Sequence, residues 1–370
     1  MERFFACFEE LEDPREDNAR HDLQELLLIA LCAMLCGAED CSDMAVFGRA
    51  KEAFLRRFLR LRHGIPSHDT FSRVFRLLDP AQFHACFLRF MQDFAQAAQG
   101  VIAIDGKTLR RSFDRATQKS PLHLVSAWAV GSRLLLGQIA TDEKSNEITA
   151  VPKLLEMLSL KGTIVTADAL NCQRTIAAKV VEKGGDYVLA LKGNQGTLLE
   201  DVRLYLDDPA HAPLLSIGKP EVDGDHGRIE TRQAFVRTTV DWLAEHDWPG
   251  LAAVGKVMRT REVKGVVSQE TAYYLLSSEL SPARFGEVAR GHWGIENSLH
   301  WVLDVTMNED QSRNRKDHGP QNLALLRRWA LNTCKFDGSM GSMKGKLKRA
   351  GWNDDFLARL ITLAGKDQMR

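Results

Sequence analysis

The sequence has no excess of either charge and no apolar run long enough to cross a membrane. Its 49 lysines and arginines balance 49 aspartates and glutamates, so any affinity for a polyanion must come from local patches. The longest apolar run, residues 26–38, has 13 residues, which is too few to span a bilayer. The first residues are charged where a signal peptide would be apolar, so we expect a cytoplasmic protein without a membrane partner.

Cysteine pairs, internal repeats and low-complexity linkers are also missing. The seven cysteines are odd in number and form no CxxC pair, which favours reduced thiols over disulfides or a zinc knuckle. The 370 residues are 44% hydrophobic and 26% charged, a composition typical of globular proteins. A chain of this length has room for two or three domains.

Residues 1–95 are predicted to form an all-α domain. Helices are expected over 23–37, 42–61, 67–78 and 80–95, separated by glycine, proline and serine. Ser67 would cap a helix that carries Arg73 and Arg76, in an arrangement that resembles a helix-turn-helix. Residues 49–76 hold eight lysines or arginines and two acids, which fits a phosphate-binding face and a solvated basic face equally well. Arg73 and Arg76 are therefore candidate DNA contacts.

From residue 100 onward the pattern alternates strands and helices. The predicted strands 101–105, 122–130 and 134–141 come first, and two further strands, each preceded by a helix, follow. The order β-β-β-α-β-α-β is that of the ribonuclease-H-like fold, a mixed α/β architecture with helices on its sheet. In such a sheet the first and fourth strands are parallel neighbours.

Two acids close short apolar runs in this region. Asp105 follows residues 101–104 and Asp168 follows residues 163–167. Either acid alone would be an ordinary turn residue, but on neighbouring parallel strands both would emerge at one edge of the sheet. Two close carboxylates repel unless a cation neutralises them, and oxygen ligands suit Mg²⁺ or Mn²⁺. The pattern therefore predicts a metal site that needs a third acid.

The third acid is expected beyond a β-rich insertion over residues 210–278. Strands are predicted there at 228–236, 251–259 and 268–276. Glu296 follows, among apolar residues that would pack a helix on the sheet and aim the carboxylate at the two aspartates. That apolar stripe consists of Ile295, Leu299 and Val302.

The predicted domains are 1–95, 96–209, 210–278 and 279–370. In the last of these, residues 311–350 hold ten lysines or arginines and two acids, which could contact a DNA backbone. Within this stretch a helix over 322–334 that carries Trp329 is expected to serve packing instead.

The three acids point to phosphodiester chemistry. Two divalent ions roughly 3.5–4 Å apart activate an oxygen nucleophile and stabilise the leaving oxygen. Asp105 would bridge both ions, with Asp168 and Glu296 each completing one. Trp293 is expected to pack, with base stacking as the alternative. Four other side chains near the acids in sequence are candidate phosphate contacts: Lys107, Lys192, Arg290 and His292.

The sequence resembles DDE transposases of bacterial insertion sequences, in the ISAs-one branch that includes the H-repeat-associated proteins. The segments that carry this resemblance are AIDGKTLRRS, ADALNCQ, GGDYVLALKGNQ, HGRIETR and RGHWGIENSLHWVLDV. It implies that Asp105, Asp168 and Glu296 form a catalytic, metal-binding triad with two Mg²⁺ or Mn²⁺ ions. It also implies that the substrate is double-stranded DNA, both the element ends and the target. It further implies a homodimer on DNA and association with the nucleoid.

The chain departs from related insertion-sequence transposases near the glutamate. Those proteins carry tyrosine, arginine and lysine seven before, four before and seven after it, where this chain has Ala289, His292 and Leu303. The residues that contact DNA phosphates are therefore expected to differ, with Arg290 or the basic tail in place of the missing side chains.

Two other functions remain open. His292, Glu296 and His300 are spaced i, i+4, i+8, which suits a zinc metallohydrolase, although the adjacent His-Glu of the zincin pattern is missing. A catalytically inactive DNA-binding regulator derived from a transposase would also retain this sequence.

Overall fold

A computed structural model describes residues 2–16, 19–95, 100–113, 120–141, 146–225 and 228–363. His226 and Gly227 of the HGRIETR segment lie outside these ranges. The first described elements are all helices, and they precede a large mixed sheet. These helices are α1 Glu2–Ala6, α2 Leu23–Leu35, α3 Cys41–Ala50, α4 Glu52–Leu55, α5 His68–Leu77 and α6 Pro80–Ala95.

The helix boundaries follow from local capping and from one tertiary contact. The Ser67 hydroxyl accepts a hydrogen bond from the Thr70 N–H, which confirms the predicted cap of α5. A single helix over 42–61 was expected, and this prediction is wrong because the helix stops at Ala50 and only a short α4 follows. Farther along, the Glu25 carboxylate accepts the N–H groups of Arg60 and Leu61, so this backbone is satisfied without a helix.

Ten strands form one mixed sheet in the order β3-β2-β1-β4-β5-β10-β9-β8-β6, with β7 paired to β8. β1 and β4 are parallel neighbours, as predicted, and β4 is also parallel to β5. The chain is thus a mixed α/β protein. The strands are β1 Gly100–Thr108, β2 His123–Ala129, β3 Leu134–Thr141, β4 Thr163–Ala167, β5 Asp186–Leu191, β6 Ser216–Ile217, β7 Glu221–Asp225, β8 Arg228–Arg237, β9 Ala253–Val263 and β10 Val266–Leu276.

The strands expected in the β-rich insertion are present, but they do not stand apart. Tyr273 to Leu276 of β10 pair antiparallel with Val188 to Leu191 of β5, so the insertion continues the same sheet. Leu275 and Leu276 are apolar and fully inaccessible, because β5 and β9 flank β10 on its two edges and the two side chains pack in different apolar cores.

Helices after β3 cover the two faces of the sheet, whereas the last two helices pack on other helices. Alternation along β1 divides its side chains, because Ile102 and Ile104 pack with α7 and α8 while Ala103 packs on the opposite side with α12. Among the described residues, no helix is both long and apolar enough to cross a membrane. These helices are α7 Glu147–Glu156, α8 Arg174–Glu182, α9 Gly196–Asp207, α10 Pro282–His292, α11 Trp301–Val305, α12 Gly319–Phe336, α13 Met343–Trp352 and α14 Asp354–Leu363.

Helix α12 joins the N-terminal helices to the sheet. Trp329 is buried against a group of phenylalanines, which confirms that this helix serves packing. Asn332 also links α12 to β3, accepting from the Leu135 N–H and donating to its carbonyl. One apolar core therefore spans the first helices, the sheet and α12. The phenylalanines around Trp329 are Phe4, Phe8, Phe83, Phe87 and Phe90.

Candidate active site

The three predicted acids line one cavity of about 1110 Å³. Parallel pairing of β1 and β4 ends with Ile104 beside Ala167, so Asp105 and Asp168 follow at the same end of the two strands. Asp105 does not end its strand, contrary to expectation. β1 continues to Thr108 because β2 still pairs with it.

Glu296 reaches the cavity from the helical side. α10 ends at His292, and residues Glu296–His300 form a single π-helical turn before α11. Such turns occur often at functional sites, because the extra residue redirects the side chains that follow. The predicted stripe of Ile295, Leu299 and Val302 is buried, which anchors the turn while Glu296 stays exposed.

Among the described residues, no lysine or arginine forms an ion pair with Asp105, Asp168 or Glu296. Burial raises the pKa of Asp105 to about 7, and the charges of Asp168 and Glu296 raise it further against the opposing Gly106 N–H hydrogen bond. His300 Nδ1 lies 3.5 Å from Asp105 Oδ2. Burial, with the positive charges of Arg328 and Lys107, lowers the pKa of His300 to about 3, so this ring is neutral and supplies no compensating charge.

The donor chemistry fits a hard divalent cation. Carboxylate oxygens are the ligands that Mg²⁺ and Mn²⁺ prefer, and a cation would relieve the repulsion that raises the pKa of Asp105. Within the described ranges, no three His, Cys, Asp or Glu side chains form a group that could hold a metal ion as they stand. The three carboxylates interact through their charges without converging on one point.

Lys107 is predicted to contact phosphate, but its side chain is buried among carboxylates. It is only 7% exposed, and its Nζ lies 2.6 Å from Asp304, 3.1 Å from Asp310 and 3.4 Å from Glu309. Arg328 also binds both oxygens of Glu309, at 2.5 and 3.2 Å. We call Lys107, Asp304, Glu309, Asp310 and Arg328 the lysine cluster. It ties β1 to α11, to the turn Glu309–Gln311 and to α12.

Within the lysine cluster the carboxylate of Glu309 is strongly stabilised. Burial alone would raise its pKa, but the positive charges of Arg328 and Lys107 hold the pKa of Glu309 at about 2. Arg327 is buried as well and donates to the Glu39 carbonyl. The charges of Arg327 and Arg328 are therefore used inside the fold, as expected for a helix over 322–334 that serves packing, and any DNA contact of the basic stretch 311–350 is left to its other lysines and arginines.

The other candidate DNA contacts are scattered. Lys192 is exposed on the cavity wall just after β5. Arg290 is about half exposed and pairs with Asp223 at 2.7 Å and with Glu221 at 3.7 Å. His292 is held in the wall by Thr166, with 3.1 Å between Nδ1 and Oγ1, and burial lowers its pKa.

Arg73 and Arg76 lie on α5, away from these residues in the sequence. Arg73 is exposed, whereas Arg76 pairs with Asp317 at 2.7 Å. Of the two, Arg73 is the one whose charge is available to solvent.

Trp293 was expected to pack, and this prediction is wrong because its side chain is 54% exposed. Trp301 was not considered from the sequence, although it is 57% exposed and lines the same cavity. Their spacing, with Asn297 halfway between them, could have shown that they share one side of the helical segment. Two exposed indoles thus flank Glu296.

Sequence reasoning also missed three buried polar residues behind the acids. His123 Nε2 lies 2.6 Å from Glu147 Oε1, and Asn171 Nδ2 donates to Glu147 Oε2 at 2.8 Å and to Asp168 Oδ1 at 2.9 Å. Asn171 was within reach, since it stands three residues after Asp168 and the Asp168 carboxylate accepts its N–H. His123 and Glu147 carry no local signal.

Comparison with known proteins gives consistent matches over most of the chain. A family model described as "Transposase DDE domain" matches residues 96–333, and one described as "DDE_Tnp_1-associated" matches residues 5–91. The H repeat-associated protein YhhI of Escherichia coli K12, whose name provisionally classes it as a transposase, is 37% identical over 362 residues, covering 94% of each chain. An uncharacterised protein encoded in the dhlA 3′ region of Xanthobacter autotrophicus is 46% identical over 285 residues, covering 74% of this chain and 94% of that one.

Among solved structures, the chain is similar to a piggyBac transposase in a synaptic complex with hairpin DNA. The TM-score is 0.42 and the identity 12%, with 100% of this chain and 78% of the other covered. This similarity is too low to bear on fold or function.

Proposed function

The chain belongs to the DDE-domain transposases of the H-repeat type, and on this premise we propose that it binds insertion-sequence ends and catalyses metal-dependent DNA cleavage and strand transfer. One observation carries the proposal. Asp105, Asp168 and Glu296, far apart in sequence, line a single cavity, and among the described residues no lysine or arginine forms an ion pair with any of them. The strand order β3-β2-β1-β4-β5, a meander followed by parallel strands, supports a ribonuclease-H-like core.

Asp105, Asp168 and Glu296 would hold two Mg²⁺ or Mn²⁺ ions. When bound, such ions activate an oxygen nucleophile and stabilise the oxygen that leaves phosphorus. Around the acids, exposed Lys192 and Arg203 offer positive charge to phosphates on the cavity wall. The exposed Trp293 and Trp301 offer faces on which bases stack.

Double-stranded DNA is the proposed partner, as element ends and as target. Exposed Arg73 on α5 and the exposed Lys344 and Lys348 on α13 supply local positive charge that the neutral chain as a whole does not have. A homodimer on DNA, association with the nucleoid in the cytoplasm, and the division into domains 1–95, 96–209, 210–278 and 279–370 are part of the same proposal.

The test is a nicking and joining assay on supercoiled DNA that carries the sequences flanking the gene. With Mg²⁺ or Mn²⁺ the wild type should nick at the element ends, and Asp105→Asn should bind the same DNA without nicking it. Binding without nicking by both proteins would identify a DNA-binding regulator instead.

The zinc alternative finds little support in the contacts of its two histidines. His292 is engaged with Thr166 and His300 lies beside Asp105, so the two rings have separate partners. Replacing both histidines by alanine would abolish zinc content if the protein were a zinc hydrolase. Metal analysis of the purified wild type and of this double variant distinguishes the two functions.

A further inference from the structure

A buried polar chain leads from the strand pair β1–β2 to Asp168. His123, Glu147 and Asn171 come from β2, α7 and the short turn Ala169–Asn171, and all three are almost inaccessible to solvent. Thr108 Oγ1 lies 2.8 Å from His123 Nδ1. With Thr108 included, this series of polar contacts starts on β1, the strand that carries Asp105, and ends at Asp168. Asp105 and Asp168 are two of the acids proposed to hold metal.

The orientation of Asn171 is fixed by charge. Its amide nitrogen donates to carboxylate oxygens of Glu147 and Asp168, at 2.8 and 2.9 Å. The opposite rotamer would place the amide oxygen against two acceptor-only carboxylates, which repel it. Asn171 therefore holds its two N–H groups between two acids.

Only one oxygen of Asp168 is occupied by these contacts. Asp168 Oδ1 accepts from the Asn171 side chain and from the Asn171 backbone N–H at 3.2 Å. No hydrogen bond from the described residues reaches Oδ2. The carboxylate is thus held by one oxygen, and the other is left for a ligand.

Glu147, His123 and Thr108, the other members of this series of polar contacts, hold Asn171 in place. The 2.6 Å contact to a carboxylate makes His123 Nε2 the donor, which in the neutral ring leaves Nδ1 to accept from the Thr108 hydroxyl. A Cβ on Gly106 would overlap both the His123 ring and the Glu147 carboxylate. The glycine after Asp105 therefore makes room for this pair.

We propose that Asn171, supported by Glu147 and His123, is a positioning residue that fixes the Asp168 carboxylate for cation binding. The inference rests on the proposed function, since it assigns Asp168 to a metal. Residues that orient a metal-ligating side chain by a hydrogen bond typically contribute about 10–100-fold to metal affinity.

The test measures Mn²⁺ binding by the full chain from the electron paramagnetic resonance signal of free Mn²⁺, without DNA. Asn171→Ala should weaken the affinity by about 10–100-fold. The conservative Glu147→Gln should stay close to the wild type, because the glutamine oxygen can accept from Asn171 while its NH2 donates to Nε2 of the other His123 tautomer, whose Nδ1–H then donates to Thr108 Oγ1. Should Asn171→Ala not fold, Asn171→Ser tests the same point, as its hydroxyl is too short to bridge both acids.

Asn322→Ala is the matched control. Asn322 is equally buried, and its amide also makes two hydrogen bonds, but to the backbone carbonyls of Phe75 and Leu78. Its loss should lower thermal stability while changing Mn²⁺ affinity less than about twofold, well under the effect of a ligand-orienting contact. In the nicking assay, Asn171→Ala should raise the Mn²⁺ concentration needed for half-maximal rate more than it lowers the maximal rate.

The outcomes separate the two proposals. Wild-type affinity in Asn171→Ala or Asn171→Ser, or an equal loss in Asn322→Ala, overturns the positioning role alone. If the wild type binds no Mn²⁺, or Asp168→Asn binds it as tightly as the wild type, the proposed function fails and the positioning role fails with it.

Discussion

Two groups of three carboxylates lie beside β1, and they have opposite electrostatics. Among the described residues, Asp105, Asp168 and Glu296 form no ion pair with a lysine or arginine, and the pKa of Asp105 is raised to about 7, chiefly by burial. Two residues along the strand, Lys107 lies among Asp304, Glu309 and Asp310, and the pKa of Glu309 is held at about 2.

The difference shows what each group is for. Residues i and i+2 of a strand share a side, so Asp105 and Lys107 are neighbours on one face of β1 with side chains of opposite charge. Paired buried carboxylates contribute to the fold, whereas unpaired ones cost free energy that a bound cation would offset.

The largest effect is expected from Asp105→Asn. Loss of a metal-ligating oxygen should reduce DNA nicking by about 10³-fold or more. The free energy of unfolding without divalent ions should be unchanged or higher, because a buried uncompensated charge has gone. Nicking kinetics and urea denaturation measure the two quantities. Glu309→Gln is the counterpart: it should lower stability and keep nicking activity at temperatures where it is folded, and the reverse pattern would refute the contrast.

Lys107→Met should leave Asp304 without a cation among the described residues, while Glu309 keeps Arg328 and Asp310 keeps Arg110. Removing Lys107 from among three carboxylates should cost about 3–5 kcal/mol of unfolding free energy, since breaking a buried pair leaves unpaired charge. Chemical denaturation gives the value. Lys179→Met is the control, because Lys179 pairs with two exposed glutamates, and its effect should be far smaller. Similar losses in both variants would mean that the lysine cluster is solvated.

Gly106→Ala should disturb the buried His123–Glu147 pair, which lies on the opposite face of β1 from Asp105. The added methyl group would overlap Glu147 and His123, so we expect a loss of about 1–3 kcal/mol from overpacking and a weaker response to Mn²⁺. The matched control is Gly131→Ala, where a Cβ meets nothing within 4 Å. Thermal unfolding with and without Mn²⁺ measures both; equal behaviour of the two variants would show that the space beside Gly106 is not needed.

The smallest effect is the acid dependence of the lysine cluster. Because the folded pKa of Glu309 is about 2, below its ordinary value, its contribution to stability is complete above about pH 4.5 and falls as the pH drops towards 2. By pH 3.5 the loss should be about 1 kcal/mol. The stability difference between wild type and Glu309→Gln, followed by denaturation from pH 7 to 3.5, should shrink accordingly, and a difference that stays constant would contradict the pairing.

Much of the local architecture was predictable because short-range patterns determine it. The Ser67 cap was read from one residue and its following helix. The strands of the insertion followed from apolar alternation, and the parallel pairing of β1 with β4 followed from the order of elements. That order also suggested that Asp105 and Asp168 lie at one end of neighbouring strands.

Charge was where sequence reasoning failed. Lys107 is predicted to contact DNA, yet it is buried among three carboxylates. The basic composition of residues 311–350 likewise does not show that Arg328 is buried in an ion pair or that Arg327 donates to a backbone carbonyl. Trp293 was expected inside and lies largely in solvent. A basic or aromatic residue looks the same in the sequence whether it is buried or exposed. Which of the two applies depends on segments that are distant along the chain.

The sequence by itself determined the elements, their order and the family, since caps, strand patterns and motifs are local along the chain. Only the tertiary structure decided which charges are neutralised. Lys107 meets Asp310 across about two hundred residues, while Asn171 and Glu147 meet behind Asp168 from two different elements. Electrostatic energy depends on distance in space, so compensation of one acid group and not the other is a property of the folded chain.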